Sequence, residues 1–324
     1  MNAWLKRIGV SLCVLTGFAA AGPGTAAPFP ERPVRLIVPF APGATTDILA
    51  RMIAERLSGR WKQPVIVENK AGAGSILGAD SVAKSTPDGY TLLFGSESLA
   101  LLPQLQDMPF DWKSDLRRVS LVGALPILLL ASGKRADIGS LKDLIDVAKA
   151  SPGKLNFGSP GTATVHHLTT EMFARAVGVQ MTHIPYKGAG PAMTDLIAGN
   201  IDVMVGAEPS AKGHIQSGRV KALTVFARER LPGLPALPTS REAGQPFEMS
   251  FWWGVMAPGK TPADVVEEIS AATMAVVRDP DLRKRMTDSG VTPLGGTADE
   301  FEKFFRDQFD GWAKILPGLQ LKLN

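Results

Sequence analysis

The chain is expected to fold as an α/β protein of two lobes, each a wound sheet flanked by helices. Two observations point to this. Short β-branched runs alternate with segments whose apolar residues recur every 3.6 positions, and that alternation restarts midway along the chain. A third concerns the tail, which reads as helices plus a single strand and so cannot build a sheet of its own.

Val34 to Val38 is a strand ended by Pro39, and Asp47 to Leu57 places Ile48, Leu49, Met52, Ile53 and Leu57 on one helical stripe. Val65 to Val67 leads through Gly72, Ala73 and Gly74 into a helix near Ile76 to Lys84. Pro87, Asp88 and Gly89 then turn into the strand Tyr90 to Phe94. This βαβαβ order implies parallel pairing.

The pattern restarts with a strand at Ile127 to Ala131, a helix at Leu141 to Ala150 and a strand at Leu155 to Phe157. A helix at Thr164 to Val177, a strand at Met181 to Ile184 and a helix at Ala189 to Ala198 follow. The lobe ends with a strand at Ile201 to Val205, a short helix at Ser210 to Gln216 and a strand at Val220 to Phe226. The Pro-rich stretch from Leu231 to Pro246 is a connection. Beyond it come the strand Met249 to Met256 and helices at Pro262 to Arg278, Asp281 to Asp288 and Asp299 to Ile315. The last helix carries a stripe of Phe301, Phe304, Phe305 and Phe309. A tail that returns to the first sheet gives a discontinuous lobe of residues 27–123 and 250–324 around a continuous lobe of 124–249.

Composition excludes several classes. With 45% hydrophobic and 20% charged residues the chain has a core to bury, so disorder is ruled out. Lys6 and Arg7, the apolar run Ile8 to Ala21, and the small residues Gly22 to Ala27 read as a signal peptide, taken as residues 1–26. Cys13 lies inside it, leaving the exported chain without a thiol, a disulfide or a Cys-ligated metal. Its removal lowers the net charge from +4 to +2. The cluster Arg283, Lys284 and Arg285 is flanked by Asp279, Asp281 and Asp288, so nucleic acid is not an expected partner. No later stretch is long enough for stable membrane insertion.

Two glycine motifs read as structural. Gly254, Gly259, Lys260 and Thr261 fit the phosphate-loop spacing, yet Pro258 lacks an N–H and Thr261-Pro262 makes an ordinary helix start. Gly72, Gly74 and Gly78 miss the dinucleotide spacing and suit a turn followed by close helix packing. Neither a zinc-hydrolase nor an α/β-hydrolase motif occurs, and the adjacent His166 and His167 do not share a helix face.

What remains is a pair of strand-to-helix loops, one per lobe. Pro39 to Asp47 contains Phe40, Ala41, Gly43, Ala44, Thr45 and Thr46; Gly158 to Thr164 contains Ser159, Gly161, Thr162 and Ala163. Free N–H groups and the positive helix end favour a carboxylate there, aided by hydroxyls. Ordinary capping is the competing reading of each loop alone, and their recurrence at strand ends in both lobes favours a ligand.

These loops lie within a set of segments that resembles the Bug-type substrate-binding proteins of tripartite tricarboxylate transporters. The segments are Arg32 to Gly43, Glu68 to Gly74, Pro87 to Leu93, Ile184 to Gly188 and Gly199 to Met204. The resemblance covers nearly the whole exported chain. It implies a Venus-flytrap fold of the periplasmic-binding-protein kind, a cleft that closes on a small organic acid, and membrane permease subunits as partners. It also implies that Ala41 to Asp47 and Ser159 to Thr164 grip the carboxylate. Ala44 stands where the family usually has a second glycine. Ser96 and Glu97 replace the common Thr-Asn, which brings an acid near the cleft. Gly206, Ala207 and Glu208 depart from the pattern after Met204, and the two glutamates either bond a polar or cationic substituent or face solvent.

His167, Tyr186 and Trp252 complete the candidate ligand contacts. Trp252 and Trp253 alternate across a strand, so at most one faces the cleft. The expected function is that of a monomeric periplasmic receptor needing no cofactor. An exported enzyme using His167, Asp47 or Glu97, and a ligand-sensing subunit for a membrane signalling protein, are the alternatives.

Overall fold

The computed structural model describes residues 29–316 apart from Ala41, Ala44, Ala163, Lys187 and Gly188. The proposed signal peptide and the ligand contacts expected at Ala41, Ala44 and Ala163 lie outside the described residues.

The first sheet is built on β1 (Val34–Val38), which pairs in parallel with both β2 (Val65–Asn69) and β3 (Thr91–Ser96). Four of the five β1 residues are buried, as a central parallel strand requires. Arg35 is the exception, and it forms a two-pronged ion pair with Glu68 on β2 at 2.6 and 2.7 Å. Helix α1 (Thr45–Trp61) buries Leu49, Ala50, Ile53, Ala54 and Leu57, a slightly shifted version of the expected stripe that leaves Ile48 exposed. Helix α2 (Ile76–Ala83) and the short α3 (Ser98–Leu101) follow β2 and β3.

The chain then crosses over. Strand β4 (Leu116–Pro126) belongs to the first sheet, and after Ile127 strand β5 (Leu128–Ser132) belongs to the second. That sheet has the order β7-β6-β8-β5-β9, formed by β6 (Asn156–Ser159), β7 (Thr182–Pro185), β8 (Val203–Gly206) and β9 (Val220–Val225). Its helices are α4 (Leu141–Ala150), α5 (Val165–Ala176), α6 (Ala189–Ala198) and α7 (Glu208–Gln216). The return is β10 (Ser250–Pro258), followed by α8 (Ala263–Arg278), α9 (Pro280–Asp288), β11 (Thr292–Gly296) and α10 (Ala298–Ile315). The first sheet is thereby completed in the order β11-β4-β10-β3-β1-β2. The two crossings touch: Ile127 N–H reaches Met249 O at 3.4 Å, Phe226 N–H reaches Ile127 O at 2.8 Å, and Met249 N–H reaches Phe226 O at 2.9 Å.

The tail returns to the first sheet as expected, but it brings two strands rather than one. β11 escapes the pattern because Pro293, Gly295 and Gly296 interrupt it, which an edge strand tolerates. β4 escapes because Arg117, Arg118 and Ser120 break its apolar run. Arg118 is buried there because Glu302 on α10 pairs with its Nε at 2.6 Å and the Trp112 and Leu116 carbonyls accept from its Nη1.

Phe301 and Phe305 of α10 are buried, and Phe304 packs beside them, all three edge-on to Trp252 at ring separations of 5.6 to 5.8 Å. Phe301 also covers Gly254, where a Cβ would overlap its ring. A Cβ at Gly259 would strike the Ser114 carbonyl. The phosphate-loop spacing is therefore accounted for by close packing within and after β10. Phe301→Ala is expected to lower the unfolding free energy by about 3–5 kcal/mol in urea titration. Gly254→Val is expected to destabilise the same layer by overpacking, about 1–3 kcal/mol.

Candidate functional site

The C-terminal ends of β1, β2 and β3 point the same way, so the loops that leave them meet at one edge of the first sheet. Across from that edge stands the loop between β6 and α5. Between the two lies a cleft of ≈ 530 Å³. From the first lobe come Phe40, Ala73, Gly74, Glu97, Ser98, Leu101, Leu102, Leu105 and Gln106. Pro160, Thr162, Thr164, Val165 and His166 form the opposite wall.

The first loop is braced from beneath by Asp47. Its carboxylate accepts from Gly43 N–H at 3.0 Å, Arg51 Nε at 3.0 Å and Asn69 Nδ2 at 2.9 Å, while Asn69 Nδ2 also reaches Phe40 O at 3.0 Å. The Arg51 guanidinium, with help from Gly43 and Asn69, holds the Asp47 carboxyl down at about 2. Asp47 is thus a fixed anion that shapes the loop, with its oxygens turned to protein donors. Thr46 is buried and accepts from the Trp253 indole N–H at 2.9 Å. Gly78 lets α2 pass this loop, since a Cβ there would lie 2.7 Å from Pro39 Cβ.

The second loop carries four successive residues with positive φ: Gly72 (143°), Ala73 (46°), Gly74 (66°) and Ser75 (99°). Two of them are not glycine, and such backbone strain persists only where surrounding bonds hold it. Ser75 Oγ meets Ser98 Oγ at 2.8 Å, and Ser98 Oγ meets Ser96 Oγ at 3.1 Å, tying the second loop to the third. Glu97 sits between these serines in sequence and lines the cleft. Its Oε2 accepts from Trp252 N–H at 3.4 Å, and burial pushes its carboxyl up to about 7.

On the opposite wall, Ser159 donates to Gly161 O at 2.8 Å and bonds His183 Nε2 at 2.7 Å, which fixes the turn. Thr164 caps α5, accepting from His167 N–H at 3.4 Å and donating to Gly161 O at 2.8 Å. The first-turn amides of Val165 and His166 have no intrahelical acceptor by helix geometry, and both residues line the cleft. His166 packs against Phe251 at 4.8 Å between ring centres, and burial lowers its pKa to about 4, so its imidazole is neutral at pH 7.

Of the residues singled out from sequence, the structure brings Phe40, Glu97, Thr162 and Thr164 to the cleft wall. Gly43, Thr45, Ser96 and Gly161 belong to the loops that form it without being wall residues. Several others are placed elsewhere. His167 stacks on His183 at 3.8 Å inside the second lobe, and its neighbour His166 takes the cleft position, because α5 turns successive residues by about 100°. Trp252 is fully buried beneath α10; Trp253 is the one that reaches the first loop. Tyr186 donates to Asp195 at 2.7 Å. Glu208 is buried, pairs with Lys212 at 3.2 Å and lies on Gly233; Gly206 and Ala207 stay in the β8–α7 join beside it. Sequence reading missed Ala73 and Gly74, although the glycine cluster was a signal, and it missed the apolar wall Leu101, Leu102 and Leu105, whose pattern resembles any buried helix. Among the described residues no group of three or more His, Cys, Asp or Glu is placed to hold a metal ion.

Residues 49–321 match the model of the tripartite tricarboxylate transporter family receptor. The chain is similar to protein BugT of Bordetella pertussis, with 36% identity over all of this chain and 99% of the relative. It is also similar to an adipate-bound Rhodopseudomonas palustris protein, at 32% identity and TM-score 0.79 over 89% of this chain and 97% of that one. MatC of the same organism, solved with bound malate, gives 31% identity and TM-score 0.76 over 89% and 99%.

Titration of the stacked histidines sets an acid limit on the fold. Burial, and secondarily His183, lowers His167 to about 4, whereas an unfolded histidine titrates near 6.5. Between those values the unfolded chain binds more protons, so this contribution to stability is complete above about pH 6.5 and is lost as pH falls toward 4. Melting curves across that interval are expected to show a shallower decline for His167→Phe, which keeps a ring in the stack and removes the titration. Equal slopes for both proteins would count against a buried neutral His167.

Proposed function

The chain belongs to the tripartite tricarboxylate transporter receptor family, and from that premise we propose that it captures one small organic acid between its lobes and presents the closed form to integral-membrane permease subunits. The observation that carries this reading is the meeting of two strand-to-helix edges across one cleft. On one side stand the loops after β1, β2 and β3; on the other stand Thr162 and the first-turn amides of α5. Amides at a helix start favour an anion, and a ligand bonded from both walls favours closure because only the closed form makes both sets of bonds. Two or three charge-assisted hydrogen bonds at roughly 1.5–3 kcal/mol each supply a large part of the roughly 8 kcal/mol that micromolar capture needs, and burial of the ligand's apolar surface supplies the rest.

The adipate and malate seen in the two R. palustris relatives make aliphatic acids the first ligands to try. The backbone of the β1–α1 loop, braced by Asp47, and the loop from Ser159 to Thr164 are the proposed carboxylate grips. In this reading the lobes divide at residues 126/127 rather than the expected 123/124, because β4 stays in the first sheet as far as Pro126, and at 249/250, with the hinge where Ile127, Phe226 and Met249 bond one another. Residues 1–26 direct export to the periplasm and are removed. No described helix is long and apolar enough to cross a membrane.

A thermal-shift panel of carboxylates, amino acids and phosphate on ligand-stripped protein tests the reading. A saturable rise in melting temperature with an acid, recovered unchanged, is the expected result; chemical conversion of the acid would replace the receptor with an enzyme. Thr162→Val is expected to weaken binding about tenfold by calorimetry while leaving the unliganded melting temperature within about 2 °C.

A further inference from the structure

We propose that Glu97 selects, among small carboxylates, those whose far end donates a hydrogen bond through a hydroxyl or ammonium group, and turns away dicarboxylates of equal length. The inference rests on the receptor reading above and names its ligand class. Among the described residues that line the cleft, Glu97 is the only acid and there is no lysine or arginine. The one imidazole there, His166, is uncharged at neutral pH because it is buried against Phe251. Above about pH 7, where Glu97 is ionised, a second ligand carboxylate would therefore meet a like charge with no cation from a described side chain to offset it.

Glu97 has acceptor capacity left over. A carboxylate offers about four lone-pair sites, and the partner that reaches its side chain from another residue is Trp252 N–H at a long 3.4 Å. Around the acid, Phe40, Leu101, Leu102, Leu105 and Val165 supply an apolar wall. That wall suits a hydrocarbon spacer, so the fitting solute is a carboxylic acid with an apolar middle and a donor at the other end. A ligand lacking the donor leaves a desolvated carboxyl unpaired, which is how polar sites discriminate.

The test compares adipate with the ω-hydroxy and ω-amino monocarboxylates of the same chain length, by calorimetry on the exported chain at about pH 8, where Glu97 is mostly ionised. The wild type is expected to bind at least one donor-bearing acid roughly tenfold or more tighter than adipate. Glu97→Gln is expected to bring that ratio below about threefold, chiefly by improving adipate binding. The two donor acids separate an ammonium preference from a hydroxyl preference. Adipate binding as tightly as both donor acids, or a ratio unchanged in folded Glu97→Gln, overturns the selection while leaving the receptor reading intact. Failure of every acid to bind the wild type overturns the receptor reading and this inference with it. Should Glu97→Gln melt early, Glu97→Thr provides the same comparison.

Discussion

The structure depends on the antiparallel pairing of β4 with β10. These two strands lie side by side in the first sheet from Leu116–Pro258 to Pro126–Ser250, and each continues directly into the chain of the second lobe. They fix both crossings at one place, so the edges of the two sheets can face each other only across the gap beside that pair. The packing follows from the same constraint. Trp252 on β10 is driven down into the phenylalanines of α10, which leaves alternate Trp253 to brace the start of α1.

The cleft gathers its chemistry from positions that are otherwise unremarkable turns. Asp47 spends its charge on Gly43, Arg51 and Asn69, a local expense that sets the first loop in place and keeps the acid from the ligand space. The Ser75–Ser98–Ser96 chain does the same for the second and third loops. In the proposed receptor the binding groups are backbone amides and hydroxyls held by this scaffolding. Among the described residues, the ionisable side chains at the wall, Glu97 and His166, are shifted toward neutrality by burial.

Much of this was legible in the sequence. The βαβαβ start, the second wound sheet and the returning tail follow from periodicity and turn residues, and the observed pairing of β1 with β2 and β3 is the parallel one implied. The two strands that escaped, β4 and β11, carry residues whose burial depends on distant partners: Arg118 needs Glu302, and β11 needs an edge position for its proline. The site was half legible. Loops rich in Gly, Ser and Thr announced themselves, and the Glu97 departure did too. Which of His166 and His167 faces the gap depends on the rotation of one helix, which of Trp252 and Trp253 reaches the first loop depends on the pleat of one strand, and a one-residue error reverses either answer.

The sheet order has a consequence in time. β10 inserts between β3 and β4, yet it is made long after both. A chain emerging from a ribosome can finish the second lobe from a contiguous stretch, whereas the first sheet remains split until residues near 258 are available. Non-local closure of this kind is slow. The first lobe, unlike the second, thus stays open until the chain is nearly finished.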